Sequence, residues 1–193
     1  MKDNTPIDSL IYRLSDFQLP SPGLLRAIRP LITTEHFQNK QAIITSGKRN
    51  NAVYFLFAGF AKEIAYDQDF ERVSWFFQPG DFIYPYPGLF ARIPAIRDVS
   101  FISGASVVAI NFRDLIALRN NSAELAKLID LIRDHCETER ARHASQMFTM
   151  LAKDRFDSLL TEKPGIFRVA KHKDISSFLG IKTDSFSRLY KPR

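Results

Sequence analysis

Charged and hydroxyl-bearing side chains are concentrated near the C-terminus, in the stretch KHKDISSFLGIKTDSFSRLYK at positions 171–191. At helical spacing, the second half of this stretch collects its polar residues on one side: Lys182, Asp184, Ser185, Ser187, Arg188 and Lys191. Side chains of these types bond to phosphate oxygens and to base edges. The pattern therefore favours a helix that can lie in the major groove of DNA.

Two short helices must position that polar face. The pattern predicts a first helix over 172–179 and a second over 183–190, with Gly180 at a turn that favours a positive φ. Thr183 is the predicted N-cap of the second helix. The predicted buried face comprises six apolar residues: Ile175, Phe178, Leu179, Ile181, Phe186 and Leu189. A helix pair that only packs against other parts of the protein would show a similar pattern.

The distribution of charge favours contact with a polyanion. The chain of 193 residues carries a net charge of +6, and residues 163–193 hold eight Lys and Arg against two Asp, so the rest is neutral. Phosphates favour such clustered cations. A basic solvated tail is the simpler explanation, but the apolar residues among these cations require a core.

The segment DISSFLGIKTDSFSRLYK resembles the helix-turn-helix of the Crp/Fnr family of transcription regulators, whose signature runs I-A-x-x-L-G-I-x-x-x-x-L-S-R. Upstream, residues 152–156 (AKDRF) with Leu159, Leu160 and Pro164 resemble the A-x-x-R-[YF]-x-x-L…P helix that precedes this motif. The resemblance implies base contacts by Thr183, Asp184 and Arg188. It implies phosphate contacts by Lys182, Ser185 and Lys191.

The pattern in the middle of the chain predicts strands. From about Phe37 to Leu118, short apolar runs alternate with Gly, Pro, Asp and Asn, which is typical of antiparallel strands. Gly47, the Y-F-L-x-x-G that ends at Gly59, and the F-x-x-G-D-F at 77–82 resemble the β-roll sensor domain of the same family. We expect an α+β fold with an antiparallel, jelly-roll-like β-roll similar to cyclic nucleotide-binding domains (1–120), a dimerisation helix (121–148) and a helix-turn-helix domain (149–193). An unrelated jelly roll would give similar strands.

A long helix is predicted from Ser122, its N-cap, to about Met147. At 1.5 Å per residue it would span about 40 Å. Its apolar stripe comprises Leu125, Leu128, Ile129, Ile132 and Cys136. Because so long a stripe needs a partner, and because the resemblance implies a homodimer, we expect it to pair with its copy; packing on the chain's own β-roll is the alternative.

The effector pocket of the resembled family is altered in this sequence. Family members that bind cyclic AMP carry a Gly-Glu pair and, about ten residues later, an Arg-Ser/Thr-Ala triple. Here Tyr84-Pro85 replace the pair, and Arg97 is followed by Asp98, whose carboxylate would repel a phosphate or neutralise the arginine. The resemblance therefore implies a degenerate pocket that does not bind cyclic AMP. Its residues are Tyr84, Pro85, Tyr86, Arg97 and Asp98.

Two fates of that pocket stay open. Tyr84, Tyr86 and Phe90 could fill it and leave a regulator without an effector, or it could hold a different, less polar molecule.

Catalysis and metal binding have little support in the sequence. The four histidines lack metal-ligand spacing, no nucleophile or P-loop motif is present, and we expect no cofactor and no enzymatic activity. Cys136 is the single cysteine, so an internal disulfide or an iron–sulfur cluster is excluded. Without a signal peptide pattern or a membrane-spanning run, we expect a cytoplasmic protein that does not contact membranes.

The sequence thus predicts a dimeric regulator that binds a palindromic operator in double-stranded DNA. The resemblance further implies RNA polymerase and an unidentified small-molecule effector as partners. The competing hypothesis is a small-ligand sensor, for a cyclic nucleotide or another molecule, whose C-terminal helices contact proteins rather than DNA.

Overall fold

Two short helices begin the chain in this computed structural model, which describes residues 5–67, 70–88 and 93–190. They are α1 (Pro6–Ser15) and α2 (Pro22–Ile28), followed by a 3-10 turn over Arg29–Leu31. Each begins with proline after a hydroxyl cap: Thr5 accepts from the Asp8 N–H, and Ser21 accepts from the Leu24 N–H. Proline suits the first helical position because its missing N–H would have no partner there.

The described strands form two four-stranded antiparallel sheets that face each other. One sheet has the order β1-β8-β3-β6 and the other the order β2-β7-β4-β5. Their bounds are β1 Ile32–Phe37, β2 Ala42–Ile44, β3 Ala52–Ala58, β4 Ala61–Asp67, β5 Phe70–Phe77, β6 Phe82–Ile83, β7 Arg97–Phe101 and β8 Ala105–Asn111. This is the expected β-roll.

Six further helices follow the roll in the described part of the chain. They are α3 Phe112–Asn120, α4 Ala123–Thr149, α5 Ala152–Glu162, α6 Ile166–Val169, α7 His172–Leu179 and α8 Thr183–Leu189. Ser122 caps α4 as predicted, accepting from the Leu125 N–H at 3.1 Å. The α+β fold is confirmed. The sequence did not predict β1, and α3 occupies residues that were expected to continue the strands.

Three apolar clusters hold these layers together. The first lies between the two sheets, and the second lies between the outer face of the β1-β8-β3-β6 sheet and helices α1, α2, α3 and α4. The third joins β5 to α5, α6, α7 and α8. The β-roll and the C-terminal helices therefore share a continuous core.

The stripe of α4 is covered by the chain itself, which corrects one prediction. Leu125 and Leu128 are 2% and 1% exposed in the second cluster, and Ile129 and Ile132 are half-buried against it. Cys136 is also partly buried. Because α1, α3 and the sheet cover this face, the stripe does not need a second copy, and the argument that it must pair with one is wrong.

Candidate nucleic-acid interface and effector pocket

The helix pair α7–α8 forms as the sequence predicted. α7 ends at Gly180, whose φ of +63° is a left-handed conformation that favours glycine. The N–H groups of Gly180 and Ile181 bond to the carbonyls of Ser177 and Ser176 at 3.1 and 3.0 Å. A Cβ on Gly180 would come within 3.2 Å of the Arg72 guanidinium, a flexible group that would shift slightly, so the positive φ is the stronger reason for glycine here.

An aromatic core supports α8 from below. Phe186 is fully buried, with ring centroids of Phe156 at 5.9 Å and Tyr190 at 5.6 Å. Ile175 and Leu179 of α7 are equally buried. The apolar side of α8 is therefore packed against a buried core, and its polar side faces away from that core.

The outward side of α8 carries the predicted DNA-contacting residues. Five of them are exposed: Lys182, Thr183, Asp184, Ser185 and Arg188. Within the described residues, Lys182 and Arg188 form none of the salt bridges found. Lys191, the sixth, lies outside the described residues. Their assignment to bases or phosphates stays a prediction.

Thr183 is not the N-cap of α8. Lys182 occupies that position without a side-chain bond, and Thr183 is the first helical residue. Its hydroxyl lies 3.4 Å from that of Ser176 on α7. The prediction was wrong by one residue, because the extended backbone that precedes the helix is at Lys182.

Arg155, the arginine of the upstream motif, ties this helix pair to the end of α4. Its Nε donates to the carbonyl of Leu179 at 2.9 Å, and its Nη1 donates to the carbonyl of Met150 at 2.6 Å. The side chain thus satisfies carbonyl groups at the ends of two helices, where no intrahelical donor is available.

α7 also docks directly on the β-roll. Lys62 on β4 forms an ion pair of 2.9 Å with Asp174, which is 6% exposed, and the Val73 N–H on β5 donates to the Ser177 hydroxyl at 3.1 Å. Phe178 stacks on the imidazole of His143 from α4, with centroids 4.0 Å apart and planes 4° apart. These contacts involve α7 and leave the polar side of α8 exposed.

His143 is held neutral at this junction. Burial lowers its pKa to about 4, and the nearby charges of Arg72, Arg142 and Lys163 act in the same direction against Glu162. A neutral ring stacks on Phe178 without placing an unpaired charge in this half-buried junction.

The predicted effector pocket contains an ion cluster that the sequence did not indicate. Glu63 on β4 is fully buried, and its Oε1 accepts from Arg97 Nη1 at 2.8 Å. Arg140 of α4 binds the same carboxylate through both oxygens, at 2.9 and 3.0 Å, and the Ser74 hydroxyl donates to it at 2.7 Å. Tyr86 lies over the Arg97 guanidinium at 3.7 Å. We call Glu63, Arg97 and Arg140 the inner cluster.

The electrostatics of the inner cluster keep Glu63 ionised. Burial alone raises the pKa of Glu63, but the charge of Arg140 and hydrogen bonds from Arg140, Ser74 and Arg97 outweigh it, so the pKa lies below its usual value. The same carboxylate raises the pKa of Arg140 against the effect of burial. The arginine that a cyclic phosphate would need is already paired with an internal anion.

The predicted role of Asp98 is wrong. Neighbouring residues of a strand point to opposite faces, and Asp98 points away from Arg97, accepting from the Ser46 N–H at 2.5 Å and from the Tyr66 hydroxyl. The hydrogen bond to Asp98 raises the pKa of Tyr66 to about 12, and burial and the charges of Asp98 and Glu71 act in the same direction. Arg97 is neutralised by Glu63 instead. Glu63, which follows the fully buried Ala61 by two residues on the same face of β4, is the residue from which sequence reasoning could have found this pairing.

The other predicted pocket residues lie beside this cluster. Pro85 is buried and Tyr84 partly so, and burial raises the pKa of Tyr84. Phe90 lies outside the described residues. Among the residues that the structure describes, no group of His, Cys, Asp and Glu could hold a metal ion, and no helix is long and apolar enough to cross a membrane.

Comparison with known proteins identifies the fold. No family model and no curated protein matches the chain. It is similar to the structure of FixK2 from Bradyrhizobium japonicum, with 19% identity and a TM-score of 0.68 over 82% of each chain. The c-di-GMP responsive global regulator CLP from Xanthomonas campestris has 14% identity and a TM-score of 0.64 over 88% of this chain and 89% of its own.

A third similar structure, described as a transcriptional regulator of the Crp/Fnr family from Eubacterium rectale, has 14% identity. Its TM-score is 0.68 over 88% of this chain and 82% of its own. At these identities the likeness shows the fold. The chain has the fold of Crp/Fnr regulators and cyclic nucleotide-binding domains, as the sequence predicted.

Proposed function

We propose that this protein is a dimeric transcriptional regulator that binds operator DNA through α8. The observation that carries the proposal is the exposed face of Lys182, Thr183, Asp184, Ser185 and Arg188 on a helix whose opposite side is buried. The excess charge of residues 163–193 supports the same conclusion, since phosphate contacts reward it. The division into a sensor roll (1–120), a dimer helix (121–148) and a DNA-binding domain (149–193) belongs to this proposal.

In this proposal Arg188 contacts guanine, Asp184 accepts from a cytosine amino group and Thr183 contacts a base edge. Lys182, Ser185 and Lys191 contact phosphates and set the register. Two such helices about 34 Å apart would read a palindrome. RNA polymerase is the further partner that a regulator of this kind would need.

Duplex selection from a random pool followed by titration tests DNA recognition. Arg188→Ala should weaken binding to the selected duplex by about 1–3 kcal/mol and relax preference at one base pair. Lys48→Ala, an exposed cation of the β-roll, is the matched control and should change little. Absence of retention on any duplex at low salt would favour the sensor hypothesis, in which the C-terminal helices contact a protein.

Dimerisation is proposed through a face of α4 other than the predicted stripe. Asp134, Thr138, Ala141, Ser145 and Phe148 are exposed and recur at alternating intervals of four and three residues, the spacing of a coiled-coil seam. Phe148 is 90% exposed. In this proposal a second copy covers Phe148 together with Leu151, which is 75% exposed and three residues further along the chain.

Sedimentation of Phe148→Glu tests this interface and should show a monomer where the unmodified chain is a dimer. Lys48→Glu should leave the dimer intact. Ile132→Glu should instead destabilise the fold, because Ile132 packs inside the protomer. A monomeric unmodified protein at micromolar concentration would contradict the proposed dimer.

The pocket is proposed not to respond to cyclic AMP, because Glu63 already occupies Arg97 and Arg140. The protein would then need no cyclic nucleotide to hold α4 in place.

A further inference from the structure

A cavity of about 130 Å³ lies outside the β-roll, between the β1-β8-β3-β6 sheet and the helices packed on it. Val53 of β3 and Ile110 of β8 line it and belong to the cluster on the helical side of this sheet. Their neighbours Tyr54 and Ala109 point into the roll. The cavity is therefore separated by a sheet from the core between the two sheets.

The walls of this cavity are almost wholly apolar. α1 contributes Leu10 and Leu14, α3 contributes Leu115, and the first half of α4 contributes four residues. Those four are Leu125, Leu128, Ile129 and Ile132. The surrounding core is otherwise well buried, so the space is a defect in packing that an apolar occupant would fill.

Among the described residues that line the cavity, the charged ones lie at its edge, and Tyr84 is the one uncharged polar side chain. Arg133 and Glu137, one turn apart on α4, line the cavity and are exposed. A phosphate or another full charge inside would lose its hydration without a partner. Water would find few hydrogen-bond partners there, and apolar cavities of about 150 Å³ are known to stay dry and to bind benzene.

We propose that this cavity is a binding site for a small apolar molecule. Its volume takes one six-membered ring or a short alkyl chain of similar size. Any polar group of the ligand lies at the mouth, beside Arg133 and Glu137. This ligand class differs from cyclic nucleotides in both charge and size.

The site is placed to act on the C-terminal half of the molecule. The helix that forms one wall also carries Arg140, bound to Glu63, and His143, stacked on Phe178 of α7. An occupant therefore contacts the element that connects the roll to the helix pair. Binding itself does not depend on the proposed DNA recognition and is measured without DNA.

Toluene is the probe for the full chain. At ten times its dissociation constant, a ligand that binds only the folded state should raise the melting temperature by about 3–6 °C. The rise should saturate, and cyclic AMP should not reproduce it. A melting temperature that does not change at any toluene concentration up to its solubility would overturn the proposal.

Substitutions that fill the cavity with a larger side chain provide the second part of the experiment. Ile129→Phe adds a ring at the wall and should abolish most of the toluene shift, whereas Leu118→Phe, in the same apolar cluster but outside the cavity, should keep it. If Ile129→Phe does not fold, Val53→Leu makes a smaller addition at the opposite wall and should at least halve the shift. A shift that persists in the folded filled variant would place toluene elsewhere and overturn the proposal.

Discussion

The inner cluster and the outer face of α8 use similar residue types in opposite ways. In the inner cluster, Glu63 is fully buried and binds two arginines of the same chain. On α8, Arg188 and Asp184 are exposed and face solvent. Charges enclosed by the protein must be paired within it, whereas exposed charges are available to a partner. The comparison teaches that the charges of the predicted effector pocket are paired inside the chain, whereas the charges on the face of α8 that we propose to bind DNA are exposed.

Removing the inner carboxylate should have the largest effect on stability. Glu63→Ala leaves the charges of Arg97 and Arg140 largely buried without a counter-ion, and we expect a loss of about 3–5 kcal/mol in the free energy of unfolding. Urea denaturation measures this loss in the free energy of unfolding. Glu162→Ala breaks the exposed pair with Arg142 and should cost below about 1 kcal/mol. Equal losses would show that burial does not distinguish the two pairs.

Substitution of two aspartates in the helix pair, one buried and one exposed, tests the same difference between enclosed and exposed charges. Asp174→Asn removes the charge that pairs with Lys62 and should cost about 1–3 kcal/mol, because the carboxylate is buried. Asp184→Asn on the exposed face should stay within about 0.5 kcal/mol. Thermal melts of both variants at neutral pH measure the two losses of stability. A larger loss for Asp184→Asn than for Asp174→Asn would contradict the prediction.

His143 lies between the two regions and should make their junction sensitive to acid. Its folded pKa of about 4 is below its usual 6.5, so the unfolded state binds more protons and stability falls as pH drops from about 6.5 towards 4. Allowing for partial exposure, we expect a loss of about 1–2 kcal/mol.

Urea denaturation across this pH range measures that loss. His143→Phe keeps an aromatic ring against Phe178 and should flatten the dependence between pH 6.5 and 4.5. His36→Gln, at an exposed histidine of β1, should leave it unchanged. An unaltered slope in His143→Phe would assign the acid sensitivity to other groups.

The smallest expected effect concerns cyclic AMP. Because Glu63 binds Arg97, millimolar cyclic AMP should shift the melting temperature by less than about 1 °C, against the roughly 5–10 °C of a saturating ligand. A saturable rise of several degrees that disappears in Arg97→Ala would show that the nucleotide displaces the internal carboxylate.

Local patterns were enough to predict most of the helices and most of the strands. Gly180, the apolar spacing of α7 and α8, and the Ser122 cap each depend on a few neighbouring residues, and all are present in the structure. β1 was missed because its residues between Ile32 and Phe37 are exposed and lack a strong apolar alternation. α3 was missed because it continues directly from β8, although Asn111 caps it.

Contacts between residues far apart in the chain were not predicted from the sequence. Glu63 and Arg140 are separated by 77 residues, and only the packing of α4 on the roll brings them together. The same packing buries the stripe of α4, which by its periodicity could equally face a second copy. For the outer face of α8, the sequence predicted which residues are exposed but not the capping position of Thr183.

The docking of α7 on β5 makes the helix pair part of the cooperative unit of the roll. The Lys62–Asp174 pair, the bond between Val73 and Ser177, and the stacked Phe178 must all separate before α7 can open. Backbone amides of α7 should then exchange with solvent about as slowly as those of β5, rather than at the rate of a tethered domain. If α8 binds DNA as proposed, its exposed face is ordered before DNA arrives, and little conformational entropy is lost on binding.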